Sequence, residues 1–372
     1  MSFARIVRKT WRENHLFSAL VELTYRCNWD CYFCYNDLGL RGKALSRQQY
    51  FDFFADLKEL GALNLILSGG EPLAHPDFFE LGARAAELDF VVRVKSNGHA
   101  LRGAVARRLR DEVDPYIVEV SLHGARAESH DRQTRIPGSF TRLIENIREM
   151  LALGLRVQVN STLTAWNEDE LEGMMELTEE LGAPLRVDPE VTPRDDGDTG
   201  PLSIRPSREA VLRLYRIQRQ ARERAAGEDA ALAGAGLSVS REGDAVPAAA
   251  SGGGPEKHCG AGSSTVAVDP FGTVYPCVQW RRAVGNLHER SIREIWTASQ
   301  DLAAVRNENV AVHSMIGELG PEGQLMGFCP GSAAAATGKA TGIYPAAATK
   351  LSLQREASSE RPESGALLPV VR

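Results

Sequence analysis

Apolar residues in the first half of the chain fall into short runs separated by stretches with helical spacing. Val21–Thr24, Leu63–Leu67, Phe90–Lys95, Tyr116–Leu122, Arg156–Leu163 and Pro184–Val187 read as strands, too short for helices and mostly bounded by turn-forming residues. Between them, apolar positions recur at helical intervals. Ser46 with Gln49 forms a capping box ahead of a helix reaching Leu60. Asp77–Leu88, Leu101–Leu109 and Phe140–Leu153 follow, and a further helix opens at Asn167 with Glu170 in capping register. Strand and helix alternate in units of roughly thirty residues, the pattern of repeated βα units on a parallel sheet. Six strands on this beat predict an α/β fold, a partial (β/α)6 TIM-like barrel.

The same beat places polar and reactive residues. Cys27–Cys34, Gly69–Glu71, Ser96–Gly98, Ser121–Gly124 and Asn160–Thr162 all fall at the C-terminal ends of successive strands, the side on which a parallel βα fold builds its active site. After a helix around Ser207–Ala226 the pattern changes. Ala231–Pro255 is rich in alanine and glycine and reads as a linker. The region Cys259–Cys329 has short strands at Thr265–Val268 and Thr273–Tyr275 around the turn Asp269-Pro270-Phe271-Gly272, and a helix starts at Ser291–Trp296. Beyond Gly331 a tail rich in alanine, threonine and proline has little periodicity and is expected to be partly disordered. The expected organisation is an N-terminal extension (1–20), the barrel (21–226), a linker (227–257), a small α+β domain (258–335) and a tail (336–372).

Composition narrows the class. The chain has 372 residues, 43 basic and 49 acidic side chains, a formal net charge of -6 and 43% hydrophobic residues, which excludes a disordered chain. It gives no support for a nucleic-acid groove. No run of eighteen apolar residues suggests a membrane span, and Met1–Tyr25 lacks the apolar core of a signal peptide. A cytoplasmic enzyme is the expectation. Three of the six cysteines crowd into Cys27–Cys34, which favours a metal site over a disulfide scaffold.

Thiolates are soft ligands for iron–sulfur clusters or zinc. Cys27, Cys31 and Cys34 could hold three irons of a cubane and leave the fourth open; a zinc site would need another ligand, for which His75 is the nearest downstream histidine candidate. The CxxxCxxC spacing, with Tyr32-Phe33 before the last cysteine and directly after the first strand, resembles the radical S-adenosylmethionine (radical SAM) superfamily. The likeness covers about Phe17 to Asp188. It implies a [4Fe–4S] cluster on Cys27, Cys31 and Cys34 whose open iron is chelated by S-adenosyl-L-methionine (SAM). One-electron cleavage would give a 5'-deoxyadenosyl radical that abstracts hydrogen from substrate. Gly69-Gly70-Glu71 resembles the family's glycine-rich motif, which contacts the methionine amino group, and Ser96-Asn97 its third-strand element. Ser121-Leu122-His123-Gly124 resembles the fourth, with His123 where aspartate is common. Phe33, Ser121 and Asn160 join the implied cofactor contacts, with Arg132 or Arg156 for the cofactor carboxylate. His130-Asp131 with Gly138-Ser139-Phe140 also fits the family.

Cys259, Cys277 and Cys329 read either as isolated buried thiols or as a second ligand set. Val284-Gly285-Asn286-Leu287, Ile292–Trp296 and Cys329-Pro330-Gly331 resemble the SPASM/twitch extension of radical SAM enzymes. Full SPASM domains carry more cysteines and two auxiliary clusters. Three cysteines here imply one auxiliary [4Fe–4S] cluster, completed by an open iron, by a substrate, or by a non-cysteine ligand such as His258 or Asp269. The resemblance implies action on a ribosomal peptide in natural-product maturation, by crosslinking, oxidation or epimerisation. Epimerisation usually needs a cysteine hydrogen donor, and all six are allotted. A flavodoxin or ferredoxin would supply the electron. With the first strand near Val21, peptide recognition would fall to a partner protein or to direct docking. Two alternatives stand beside this: decarboxylation or dehydrogenation of a small molecule such as a tetrapyrrole or sugar, and a non-catalytic iron–sulfur scaffold.

Overall fold

Valines alternate with polar side chains along Val91–Ser96, Ile117–Ser121 and Val157–Thr162, and this alternation gives that part of the sheet one dry face and one polar face. The computed structural model describes residues 3–37, 39–234 and 254–359. Its first half runs α1 (Phe3–Glu13), β1 (Ser18–Glu22), α2 (Arg47–Glu59), β2 (Asn64–Ser68), α3 (Phe78–Glu87), β3 (Val91–Ser96), α4 (Gly103–Arg108), β4 (Ile117–Ser121), α5 (Ala127–Thr134), α6 (Ser139–Ala152), β5 (Val157–Thr162), α7 (Leu171–Leu181) and β6 (Leu185–Asp188). The second half runs α8 (Arg208–Gly234), β7 (Thr265–Val268), β8 (Thr273–Tyr275), β9 (Gly285–Asn286), α9 (Ile292–Ala298), α10 (Gln300–Glu318), α11 (Pro321–Leu325), α12 (Pro330–Thr337) and α13 (Pro345–Ser359).

Strands β1 to β6 are parallel and neighbour one another in chain order, the arrangement of an open TIM-like barrel. Val92, Val94, Val118, Val120 and Val159 are at most 1% exposed and join the main core with Tyr50 and Phe54 of α2. The free edge of β1 is taken by β7, parallel to it, and β8 and β9 continue antiparallel. The second cysteine region therefore extends the barrel sheet to nine strands in the order β6-β5-β4-β3-β2-β1-β7-β8-β9.

Several expectations change. The first strand starts at Ser18, not Val21, and a helix occupies the N-terminal extension. Helix α5 escapes the periodicity because its buried side, Ser129, His130, Gln133 and Thr134, is polar. Glu170 caps nothing at Asn167; it reaches back to Ala125 N, Arg126 and Ser129. Helix α8 runs to Gly234, into the alanine-rich stretch read as linker, and residues 235–253 of that stretch lie outside the described residues. The tail contains α13, whose Leu353 and Ala357 pack on Leu212 and Tyr215 of α8. Among the described residues no helix is long and apolar enough to cross a membrane.

Candidate active site

Cys27, Cys31 and Cys34 sit on the loop leaving β1. Cys34 N donates to Cys31 O at 3.1 Å, while Asp30 N and Tyr32 N donate to Thr134 O and Gln133 O of α5. All six cysteines are unbridged. Burial raises all three loop thiols, and they raise one another: Cys34 and Cys27 act on Cys31, and Cys34 on Cys27. Such thiols keep their protons until a metal compensates the charge. Among the described residues no three His, Cys, Asp or Glu side chains gather tightly enough for one ion. His75, the zinc alternative, accepts from Asp77 N at 3.2 Å and packs edge-on against Tyr50.

The β2 turn interlocks with this loop. A Cβ on Gly69, at φ 140°, would lie 2.3 Å from Thr24 O, and one on Gly70 would lie 2.7 Å from Tyr25 O. Only glycine allows that approach. Glu71, 3% exposed, accepts from Asn97 N at 2.8 Å, Ser96 Oγ at 2.9 Å and Leu73 N at 3.2 Å. Burial still pushes its carboxyl up to about 7 against those hydrogen bonds. Asn97 Nδ2 donates to Asn28 Oδ1 at 2.7 Å and approaches Cys27 Sγ at 3.8 Å. Asn36, which carried no sequence signal, donates to Gly69 O at 3.2 Å and leaves Oδ1 buried without a partner. A raised carboxyl, a glycine cradle and an orphaned oxygen beside three thiols fit a ligand with an ammonium group held next to a cluster.

Phe33 meets the His123 ring edge-on at 4.6 Å. His123 accepts from Thr162 N at 3.2 Å, and burial, helped by His130, pushes it down to about 3, so it is a neutral packing residue joining the ends of β4 and β5. Asp131 accepts from Gly138 N, Ser139 Oγ and Phe140 N at 2.6, 2.9 and 2.8 Å, so the His130-Asp131 and Gly138-Ser139-Phe140 pattern secures the start of α6. Ser121 and Asn160 are register partners on the inner face. Arg132 lies over the Trp166 ring at 4.1 Å. Arg156 donates to Tyr116 O at the N-terminal edge of the sheet, the wrong end for a cofactor carboxylate.

The second set converges from separate segments. Burial raises Cys277 to about 12 and Cys259 to about 11; Cys259 and Cys329 add to the first, and Cys329 to the second. A Cβ on Gly331 would stand 2.5 Å from Gln279 O, so glycine there lets the Cys329 segment close on the Cys277 loop. The Cys259 thiol donates at 3.3 Å to Oδ1 of fully buried Asn309, whose Nδ2 donates to Ala261 O at 2.9 Å. Of the two non-cysteine ligand candidates, Asp269 is occupied by the β7–β8 turn, accepting from Phe271 N, Thr273 N and Tyr275 Oη. His258 stays beside Cys259, its Nε2 2.8 Å from Phe328 O.

One guanidinium joins the two loops. Arg281 donates to both oxygens of fully buried Glu22 at 2.9 and 2.8 Å and lies 3.0 Å from Asp195. Tyr25 Oη donates to Glu22 at 2.9 Å. Burial, with Glu22 nearby, raises Asp195 to about 6 despite Arg281. Glu22 and Arg281 stand 259 residues apart, so no local pattern announces the pair. Beside it, a cavity of about 1260 Å³ runs from Tyr35 and Asp195 to Trp280, Gly331 and Tyr344.

The model of the radical SAM superfamily matches residues 21–178, and that of the SPASM iron–sulfur cluster-binding domain matches residues 259–315, ending before Cys329. The AdoMet-dependent heme synthase of Methanosarcina barkeri is 27% identical over 300 residues, 77% of this chain and 83% of that protein. A mycofactocin maturase of Mycobacterium ulcerans is 30% identical, covering 74% of this chain and 73% of its own. The PqqA peptide cyclase of Ruegeria pomeroyi is 36% identical over a shorter span, 44% of each chain. Among solved structures, anSMEcpe with bound AdoMet superposes with a TM-score of 0.67 at 15% identity over 92% of this chain and 96% of that one. Streptococcus suis SuiB superposes with a TM-score of 0.61 at 14% identity over 82% and 70%. At such identities the structures speak for the fold, which is this one. The two domains imply iron–sulfur clusters and SAM as cofactors, and the chain belongs to the radical SAM superfamily as an enzyme with a SPASM domain.

Proposed function

We propose that Cys27, Cys31 and Cys34 hold one [4Fe–4S] cluster with an open iron for SAM, that Cys259, Cys277 and Cys329 hold one auxiliary [4Fe–4S] cluster, and that the substrate is a ribosomal peptide. The observation that carries this is the pair of converging cysteine sets beside a cavity that runs from Tyr35, next to Cys34, to Val278, next to Cys277. At about 1260 Å³ it exceeds the usual range for a small ligand, roughly 300–1,000 Å³, and suits a peptide segment. The peptide in the name of the PqqA peptide cyclase supports the same reading.

When bound, the cluster and SAM supply a 5'-deoxyadenosyl radical for hydrogen abstraction. The chain's own residues bind and orient. Gly69 and Gly70 leave room for the methionine backbone, and Glu71 receives its ammonium, a cation that offsets the cost of a buried carboxylate. Ser96 and Asn97 fix Glu71 in place. Phe33, Ser121 and Asn160 would hold the adenosyl portion. Asp195 and Arg281, which line the cavity, present charge to the substrate. A flavodoxin or ferredoxin serves as reductant, a separate protein can present the peptide, and unbridged cysteines suit a reducing cytoplasm. A small-molecule substrate such as a tetrapyrrole is the second reading, favoured by the likeness to the heme synthase, which extends over 83% of that protein.

Anaerobically reconstituted protein with dithionite and SAM should form 5'-deoxyadenosine. Replacing Cys27, Cys31 and Cys34 with alanine should abolish this and leave about four irons per chain. Iron unchanged by that replacement, or no 5'-deoxyadenosine from the wild type, refutes the cluster assignment. A mass change in a peptide encoded beside the gene, with none in a tetrapyrrole, decides the substrate class; the reverse result overturns the peptide reading.

A further inference from the structure

Strand β6 (Leu185–Asp188) ends the nine-stranded sheet, and its only strand partner is β5. In a parallel ladder, successive residues of a strand turn their backbone groups to opposite sides. Val159 N donates to Pro184 O at 2.9 Å and Leu163 N to Asp188 O at 2.8 Å, while Val159 and Ser161 are the register partners of Leu185 and Val187. Pro184, Arg186 and Asp188 therefore turn their backbone groups towards β5, and Leu185 and Val187 turn theirs away. Among the described residues nothing pairs with the N–H or C=O of Leu185 or Val187. The other edge of the barrel, on β1, is covered by β7.

The surroundings of this open edge set what fits it. Leu185 and Val187 pack with Leu163, Leu171 and Leu214 on one face, while Arg186 and Asp188 lie exposed on the other. Pro184 precedes the open stretch, and Pro189 has no N–H to continue it. So short an edge, bounded by prolines, is too little to hold a second copy of the chain edge to edge. An occupant needs further contacts close by, and they begin at once. Pro189 and Glu190, which follow the strand, line the cavity that reaches Tyr35 and Val278. An extended chain laid along β6 and continuing past Asp188 runs directly into that cavity.

We propose that the substrate peptide docks as an added strand on β6, bonding through its backbone to Leu185 and Val187 before its next residues enter the cavity. The inference rests on the peptide reading of the site. Backbone pairing of this kind supplies affinity with little demand on sequence, and pockets for side chains supply the selection. Every second side chain of the added strand points to the face that carries Arg186 and Asp188. Asp188 stands level with Thr162 at the strand ends, the side on which the cysteine loop lies.

The test uses reconstituted holoenzyme and the peptide whose mass it changes. Proline is tolerated on an edge strand where the lost N–H faces outwards. Val187→Pro should therefore melt near wild type, whereas Arg186→Pro, which removes a bond to β5, should melt lower. Calorimetry should show about a fivefold or greater loss of peptide affinity in Val187→Pro, the loss of one net hydrogen bond. Its formation of 5'-deoxyadenosine without peptide should be unchanged. Residue-resolved amide exchange on wild type gives an independent reading: Leu185 and Val187 should exchange fast without peptide and slowly with it. Edge amides already slow without peptide, covered by another part of the chain or by a second copy, overturn the proposal. Edge amides that stay fast while the peptide binds overturn it too, as does a folded Val187→Pro with wild-type affinity. A wild type that cleaves SAM but modifies no peptide defeats the peptide reading itself, and this inference with it.

Discussion

Glu71 is the residue whose environment most directly ties stability to ligand binding. Its carboxyl is raised from 4.5 to about 7 because burial outweighs the hydrogen bonds from Asn97, Leu73 and Ser96. A carboxyl raised in this way holds its proton longer in the native than in the unfolded state. Between about 4.5 and about 7 the native state binds more protons, so stability falls as pH rises through that window and stays low above it. The gap corresponds to about 3 kcal/mol. The cofactor-free protein should therefore lose stability between pH 5 and pH 8 relative to Glu71→Gln, by about that amount, in urea melts at the two values. Equal slopes for the two proteins would show that Glu71 does not titrate in this window. Residues such as Glu71 and the cysteines are legible in sequence because each belongs to a local spacing. Asn36 and Arg281 are not, because their roles come from partners brought together only by the closed sheet.

At the scale of elements, legibility followed the chemistry of the buried face. Strands β3 to β5 stand out because valine alternates with polar side chains, β2 because of its apolar run Leu65-Ile66-Leu67, and α2 because its capping box precedes Tyr50, Phe53, Phe54 and Leu57. Helix α5 hides because it buries polar groups, and α13 because its packing face is mainly alanine with Leu353. That helix is nonetheless an ordinary packed element. Leu353 is 2% exposed against Leu212 and Tyr215, so Leu353→Ala should destabilise by about 2–5 kcal/mol. A shifted urea midpoint with an unchanged slope is the expected result. A midpoint within error of wild type would mean that α13 does not dock on α8 in solution.

On the whole-molecule scale, the sheet order makes the second cysteine region part of the barrel's own structure. Parallel pairing of Ser18–Val21 with Thr265–Val268 covers an edge that would otherwise present a row of open backbone groups. Arg281 adds the counter-charge for Glu22, which is wholly buried at the end of β1. Removing one member of such a pair costs about 3–5 kcal/mol, a large share of a typical stability of about 5–15 kcal/mol. A fragment ending at Gly234 loses both the edge pairing and the counter-charge. It should be insoluble, or collapsed without a cooperative thermal transition. The full chain with Cys259, Cys277 and Cys329 replaced by serine keeps β7 and Arg281, and should still unfold cooperatively while losing the auxiliary iron. The pair of measurements separates two roles of this region, because the fragment tests the sheet and the serine variant tests the ligands. A soluble fragment with a sharp transition would show that the barrel closes its edge without β7. In the full chain, Arg281→Met isolates the counter-charge: it should lower stability by about 3–5 kcal/mol in denaturant melts, since it leaves the Glu22 carboxylate buried with Tyr25 as its remaining hydrogen-bond donor.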